Sequence, residues 1–371
     1  MNSIMAAVLN KYKSHTHKEH IYKIPDTYIG SVEPCSDIHY ILEDAKMVRK
    51  TVEYTPGLYK IVDEVIVNAW DQFIRNKDSE KDRVKNIDIT VDKETGKVSV
   101  RNTGRGIDIL MHPEHKIYTV ELIFGKLLTS TNYTEDEERV TGGKNGYGAK
   151  LANIFSKDFE VETVDLNEKL YFSQKFTDNM DVRHEPVVKK IKKSDYKQEY
   201  TCVSFVPDFE RFKLKGWSDD MIRIFERRAY EVAACCGSMV CVTFNGNPIM
   251  VNSFQKFTGL FMNDTVVYER YSSRWEIAIG LSDTFQHISF VNGIFTSKGG
   301  KHVEYVTQMI CKKVSEYLMK KQKIDVKTSY IREHIFIFVN CLISNPSFDS
   351  QTKDYLTTPS NKFGSKCEIT D

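Results

Sequence analysis

The chain has 371 residues, 41% of them hydrophobic and 28% charged, with a net charge of +1. Its length exceeds one ordinary domain and predicts two, and its balanced charge excludes a polycation, so any nucleic-acid contact must come from local patches. No apolar run approaches the ~20 residues a membrane span needs, and the N-terminus lacks the basic start of a secretory signal.

Residues 1–30 are polar, and the group His15, His17 and His20 reads as a solvated segment. A helix is predicted from about Gly57 to Asn76, with an apolar stripe at positions 58, 61, 62, 65, 66, 69 and 73. Away from that stripe, Glu64, Asn68 and Asp71 are stacked on one face by their spacing of four and three residues. A carboxylate and an amide held this way can orient a water and supply an oxygen ligand to Mg²⁺. A plain solvated face is the alternative.

Strands at 87–91 and 97–101 alternate apolar with polar residues, the mark of a half-buried hairpin. They lead into Asn102-Thr103-Gly104-Arg105-Gly106, where glycines let the backbone approach a flat ligand and the Asn102 amide suits an adenine edge. After a helix near 120–128, Ser130, Thr131 and Asn132 offer groups suited to a ribose or phosphate. An acidic loop at 135–138 then precedes the run Thr141 to Lys150, with glycines at 142, 143, 146 and 148. The apolar Leu151 to Phe155 reads as the start of a helix. Converging backbone N–H groups at a helix N-terminus make Gly143, Lys144, Asn145, Gly146, Tyr147, Gly148, Ala149 and Lys150 a phosphate clamp.

Strands near 159–163, 169–176 and 201–206, a helix near 218–236 and a strand at 239–244 follow, closed by the turn Asn245-Gly246-Asn247-Pro248. A boundary near 252 divides the chain into 1–252 and 253–371. The second part has strands at 275–281 and 287–296, a helix from about Lys301 to Lys321 and a strand at 335–343. The lysines Lys320, Lys321 and Lys323, and a second run at 189–193, suit sequence-independent contact with DNA phosphates. Eight scattered cysteines without a C-x-x-C pair read as ordinary thiols of a reducing compartment.

A helix bearing Glu64 and Asn68, a strand ending in N-x-G-x-G and a later glycine lid before a helix together resemble the GHKL ATPase fold. That fold is shared by type II topoisomerases, mismatch-repair proteins, heat-shock chaperones and histidine kinases. In more detail, Leu58 to Glu64, Leu122-Ile123-Phe124-Gly125, Thr141 to Leu151, Phe290-Val291-Asn292, Thr296 to Gly300 and Phe348 to Lys353 are similar to the N-terminal region of eukaryotic-type type IIA DNA topoisomerases. The similarity runs from about Tyr12 to the end, and the last three motifs lie outside the shared fold.

The resemblance implies an α+β chain: a two-layer α/β sandwich GHKL (Bergerat) ATPase domain, then a smaller α/β transducer domain. It implies Glu64 as general base, Asn68 as ligand of Mg²⁺ and Asn102 at the adenine. Ser130, Thr131 and Asn132 would line the ribose and phosphates of ATP, and Gly143 to Lys150 would wrap the triphosphate. Gln351, Thr352 and Lys353 would reach the γ-phosphate from the transducer, Lys353 both stabilising its charge and sensing its presence. Tyr12 matches an arm that crosses to the partner subunit's nucleotide. The whole would be a homodimer that closes on ATP behind a captured double-stranded DNA, nuclear by family default, with viral or organellar origin left open. The acidic metal site and the DNA-cleaving tyrosine have no counterpart, so the chain is expected to hydrolyse ATP and dimerise without cutting DNA; the rest of the topoisomerase chain would be its partner. It departs from the family pattern at Thr103, Asp108 and Lys144, the last replacing an arginine fork by a point charge.

Other readings are weaker. Thr141-Gly142-x₃-Gly146-x-Gly148 with Tyr171-x₃-Lys175 also spells a short-chain dehydrogenase, but a dinucleotide turn belongs after the first strand of a βαβ unit. Walker A fails, because no Gly-Lys-Ser/Thr follows the glycines. A nucleotide-gated clamp or chaperone of another GHKL family is opposed by the Gln351 to Lys353 loop and by Thr296 to Gly300. A non-hydrolysing dimerisation module is opposed by Glu64.

Overall fold

The computed structural model describes residues 15–127, 140–143, 146–262 and 266–369. It opens with α1 (His17–Lys23) and α2 (Asp26–Ile29). The Thr16 hydroxyl accepts the Glu19 N–H while the Glu19 carboxylate accepts the Thr16 N–H, a reciprocal cap that satisfies donors a helix start leaves open. Ile21 is fully buried, and His17 Nε2 lies 3.2 Å from the Tyr147 hydroxyl. His17 and His20 thus lie on a packed helix and not in the predicted solvated segment, while His15, ahead of the helix, is exposed.

A hairpin of β1 (Cys35–Glu43) and β2 (Lys46–Tyr54) precedes the long helix α3 (Pro56–Asn76). Proline at the start of α3 sits where its missing N–H is not needed. The predicted hairpin is present as β3 (Asn86–Val91) and β4 (Val98–Thr103), with Ile87, Ile89 and Val91 buried and the residues between them more open. Helices α4 (Thr119–Gly125) and α5 (Gly148–Ile154) follow. The sheet is completed by β5 (Ser156–Asp165), β6 (Leu170–Thr177), β7 (Val182–Arg183), β8 (Val187–Lys190) and β9 (Tyr200–Pro207). Beyond α6 (Asp219–Cys236) come β10 (Cys241–Phe244) and β11 (Asn247–Pro248). The strands run in the order β11-β10-β3-β4-β9-β5-β6-β7, with β8 also paired to β6. One apolar core joins helix residues such as Ile61, Val65 and Phe225 to sheet residues such as Ile87, Val100 and Phe159. Two layers result.

The remainder builds a second sheet. After α7 (Phe254–Thr258) come β12 (Val267–Ser272), β13 (Trp275–Leu281), β14 (Gln286–Val291), β15 (Ile294–Phe295) and the short β16 (Gly299–Gly300). Helix α8 (Lys301–Tyr317) runs on into a π-helical turn at Leu318–Gln322, followed by α9 (Thr328–Glu333), β17 (Ile335–Cys341) and β18 (Tyr355–Leu356). The five-stranded order is β12-β13-β17-β14-β15, and β16 pairs in parallel with β18. A further apolar cluster mixes Met47 and Ala234 with Phe254, Phe290 and Phe338, so the two sheets' units share buried surface.

The predicted strand at 287–296 is two strands, because Asn292 and Gly293 turn the chain with φ of 51° and 70°. Gly293 packs on Trp70 of α3 so closely that a Cβ would stand 2.3 Å from the indole ring. Left-handed backbone and close packing both require glycine here. Gly293→Ala is therefore expected to destabilise the chain by about 3 kcal/mol, read as a lower denaturant midpoint at unchanged slope. No helix among the described residues is long and apolar enough to cross a membrane.

Candidate nucleotide site

Helix α3 forms one wall of a pocket. Glu64 and Asp71 are each 2% exposed, while Asn68 between them opens to the cavity. The plain solvated face is therefore excluded. Glu64 is buried because α5 arrives against it: a Cβ on Gly148 would stand 2.6 Å from Glu64 Oε2. Only a glycine lets a helix start approach a carboxylate this closely.

Asp71 pins the beginning of the glycine run. Its Oδ1 accepts the Gly142 N–H at 2.7 Å and its Oδ2 the Gly143 N–H at 2.9 Å. Burial pushes this carboxyl up, opposed by Arg75 and by the two N–H groups. The sequence placed Asp71 on the right face without giving it this task.

The Glu64 carboxylate is held by two lysines. Lys60, one turn earlier on α3, and Lys353, 289 residues away in sequence, each place Nζ 2.8 Å from Glu64 Oε1. Burial alone would raise this carboxyl, but the ammonium groups of Lys353 and Lys60 overcome it and hold it at about 2. Lys60 persists as a cation because Glu64 and Asp63 outweigh its own burial. Its role is visible in retrospect only as a lysine four residues before the glutamate.

Lys353 is delivered by a braced loop. Its φ is 65°, and its N–H donates to the Ser350 carbonyl at 3.2 Å. The neighbouring Asp354 accepts from Thr352 Oγ1 at 2.8 Å and from Ser297 Oγ at 3.0 Å, and its carbonyl accepts the Lys298 N–H at 3.0 Å. The Thr296 to Gly300 segment thus supports the loop that presents Lys353. Gln351 and Lys353 line the pocket, whereas Thr352 does not and serves the brace.

Part of the pocket lining is largely apolar. Asn102 of β4 and Thr201 of β9 are register partners there, among Val100, Val203, Ile107 and Ile123. An apolar lining with one amide and one hydroxyl fits the edge of a heteroaromatic base. Thr201 had no signal in the sequence, since its placement depends on strand pairing.

Gly143, Gly146, Tyr147, Gly148, Ala149 and Lys150 also line the cavity. Lys150 is 1% exposed and donates to the Gly146 carbonyl at 2.8 Å; burial lowers its ammonium to about 8. A bound phosphate favours the charged form, and that form is lost as pH rises through the folded value. Affinity for a triphosphate is accordingly expected to fall from about pH 7 to about pH 9, and the Lys150→Ala variant to lack that slope in a fluorescent-nucleotide titration.

Tyr12, Ser130, Thr131, Asn132, Lys144 and Asn145 lie outside the described residues. Lys320, Lys321 and Lys323 are exposed at and after the π-helical turn, and none lines the pocket. Among the described residues, His112, Glu114 and His115 form the one group of three metal-ligating side chains. The Lys126 ammonium stands 3.0 Å from His115 Nδ1 there, and His112 Nδ1 accepts the N–H groups of Glu114 and His115. All eight cysteines are free.

The model of the histidine kinase-, DNA gyrase B- and HSP90-like ATPase family matches residues 53–210, and that of DNA gyrase B matches residues 250–369. The crystal structure of the ATPase region of Saccharomyces cerevisiae topoisomerase II superposes with a TM-score of 0.90 at 43% identity, covering 97% of this chain and 94% of that one. The chain belongs to the family of type II topoisomerase ATPase regions. The ATPase and transducer domains of DNA topoisomerase II from Balamuthia mandrillaris match with a TM-score of 0.92 at 39% identity, over 98% and 92% of the two chains. DNA topoisomerase 2 of S. cerevisiae is 42% identical over 100% of this chain and 27% of its own length. DNA topoisomerase 2-beta of Gallus gallus is 43% identical over 97% and 22%. The chain thus spans about a quarter of the length of these topoisomerase relatives.

Proposed function

We propose that the chain binds and hydrolyses ATP and serves as the entrance gate of a type II DNA topoisomerase. The observation that carries this reading is the pairing of Lys353 with Glu64 at 2.8 Å, which joins the loop beyond the second sheet to the helix that walls the pocket. Residues 1–252 act as the nucleotide-binding domain and 253–371 as the transducer. The adenine lies against Asn102 and Thr201, and the triphosphate extends toward α5 under Gly143 to Lys150. Ser130, Thr131, Asn132, Lys144 and Asn145, outside the described residues, would contribute to nucleotide binding as the family resemblance implies.

Asn68 fits Mg²⁺, being an exposed amide oxygen donor that lines the pocket one turn after Glu64; the ion, when bound, would neutralise charge on the phosphates. Glu64 orients the attacking water. A carboxylate held at about 2 by two ammonium groups is a weak base. A γ-phosphate draws Lys353 away from Glu64, which strengthens the base and stabilises the transferring phosphoryl group in the same movement. Gln351 accompanies it. Water takes up the γ-phosphoryl group with ADP as leaving group, and departure of the resulting phosphate removes the anion that Lys353 follows and releases the second sheet's unit.

In the complete protein, ATP binding would bring two copies together, with Tyr12 reaching the partner's site, and close them behind a double-stranded DNA. Lys320, Lys321 and Lys323 would face its phosphates, as their exposure allows. The remaining topoisomerase chain would perform cleavage, and the nucleus is the location that follows from eukaryotic relatives.

The test is steady-state ATP hydrolysis against protein concentration with Mg²⁺ present. A specific rate that climbs with concentration is expected, because the closed dimer is the active unit. A constant rate would remove the nucleotide-driven gate while leaving the ATPase, and no hydrolysis would overturn the role of Glu64.

A further inference from the structure

The charge network around Glu64 does not stop at Lys60. Asp63, its neighbour on α3, lies 3.6 Å from Lys60 through Oδ2, so two adjacent carboxylates compete for one ammonium. What decides that competition is Arg228 of α6, a side chain with 0% exposure. Its Nε donates to Asp63 Oδ1 at 2.6 Å and its Nη2 donates to the Gly293 carbonyl at 2.8 Å. The third arm, Nη1, lies 3.4 Å from Glu231 Oε2.

Gly293 belongs to the turn between β14 and β15, in the second sheet. That turn is itself fixed at several points. The Asn292 amide donates to the Ile343 carbonyl at 2.9 Å and to the Thr141 carbonyl, at the start of the glycine run, at 3.4 Å; Asn292 Oδ1 accepts the Ile343 N–H at 2.8 Å. Gly293 rests on the Trp70 ring. Consecutive contacts therefore lead from the second sheet to the pocket carboxylate: Gly293 carbonyl, Arg228, Asp63, Lys60, Glu64.

We infer that Arg228 is a positioning residue through which the seating of the Asn292–Gly293 turn sets the Glu64 carboxylate. The inference rests on the reading of Glu64 as the group that orients water. With Arg228 seated, its guanidinium satisfies Asp63 and leaves Lys60 to hold Glu64 in one orientation. When the turn lifts, Arg228 loses its carbonyl partner, Asp63 becomes the stronger competitor and Lys60 moves toward it. Glu64 then loses the contact that orients it from within its own helix. A planar fork with fixed directions can make these contacts at once, whereas a lysine offers a point charge. The position of the second sheet is thereby communicated to the base by a route separate from Lys353. Other ionisable groups acting on this network are Tyr59 on α3, Arg227, Cys235 and Cys236 on α6, Asp71 further along α3 and Asp354 beside Lys353.

The competition makes a prediction that lost packing does not. Arg228→Lys should lower kcat about tenfold while affinity for a non-hydrolysable ATP analogue stays within about twofold. In an Asp63→Asn background, where the competitor is gone, the same substitution should have no further effect. Losses in kcat that add across the two sites, or an unchanged kcat in Arg228→Lys, would overturn the inference. A second readout needs no turnover: the ¹³C carboxyl resonance of Glu64, assigned by its disappearance in Glu64→Gln. It should stay flat above about pH 4 in the wild-type chain, show a titration step in Arg228→Lys and become flat again in the double variant. A wild type that binds nucleotide but does not hydrolyse it would defeat the ATPase reading, and the resonance would still judge Arg228. Should Arg228→Lys fail to bind nucleotide, Gly293→Ala with and without Asp63→Asn replaces it. The turn is then displaced at its own end, and the same rescue is expected; its absence would refute the relay.

Discussion

Glu64→Gln is expected to bind nucleotide within a few-fold of the wild-type affinity and to lose hydrolysis by about 10²–10⁴-fold. The amide keeps the shape that Gly148 packs against, with its 2.6 Å Cβ limit, and removes the charge that Lys60 and Lys353 share. Stability should respond in a diagnostic way. Two buried ammonium groups lose their carboxylate, and breaking a buried pair on one side costs about 3–5 kcal/mol. A bound triphosphate supplies Lys353 with a new anion, so saturating nucleotide should raise Tm more in the variant than in the wild type. The pH dependence follows from the direction of the shift. Glu64 is held at about 2, below the ordinary glutamate range, so its pairing stabilises the fold above about pH 4 and is lost as pH falls toward 2. Glu64→Gln should therefore flatten the acid limb of the stability curve. Hydrolysis at the wild-type rate in this variant would remove Glu64 from the chemistry.

Much of this site is legible in the sequence because its parts are local. The stripe on α3, the alternation in β3 and β4 and the glycines before α5 are each set by neighbours within a few residues, and periodicity reports them directly. The hairpin of β1 and β2 announces itself poorly: its turn is Asp44-Ala45, with φ of 47° and 59° and no glycine. The break at Asn292–Gly293 is an Asn-Gly dipeptide of the kind that favours a tight turn, yet the apolar residues on either side read as one strand. Contacts between distant segments are a different matter. No local pattern says that Asp71 will meet the N–H groups of Gly142 and Gly143, or that Arg228 will reach the Gly293 carbonyl. Lys353 is marked only by the family resemblance. Taken alone it is one lysine among the 52 basic residues of the chain. Its left-handed φ and its 5% exposure are consequences of the braced loop, not of its own sequence neighbourhood.

Lys353→Ala should separate the two tasks assigned to that side chain. As an electrostatic stabiliser of the transferring phosphoryl group, its loss is expected to lower kcat by about 10²–10³-fold. As a sensor, its loss should erase the difference in affinity between a triphosphate analogue and ADP, since no remaining described residue of the second sheet's unit except Gln351 lines the pocket. The truncation also frees Glu64 from one of two ammonium groups, so its carboxyl must rise from about 2. Residual hydrolysis in Lys353→Ala should therefore keep its dependence on Glu64, while the acid limb of kcat/KM, which reports the nucleotide-free enzyme, moves to higher pH than in the wild type. The stability effect has the opposite sign to that of Glu64→Gln on adding nucleotide. Lys60 still satisfies Glu64, and the triphosphate finds no Lys353 to recruit, so nucleotide should raise Tm less than in the wild type. Retained triphosphate discrimination with depressed kcat would confine Lys353 to catalysis and assign sensing to Gln351. Unchanged kcat with lost discrimination would confine it to the gate. Loss of both together is the outcome that a lysine passing from Glu64 to the γ-phosphate requires.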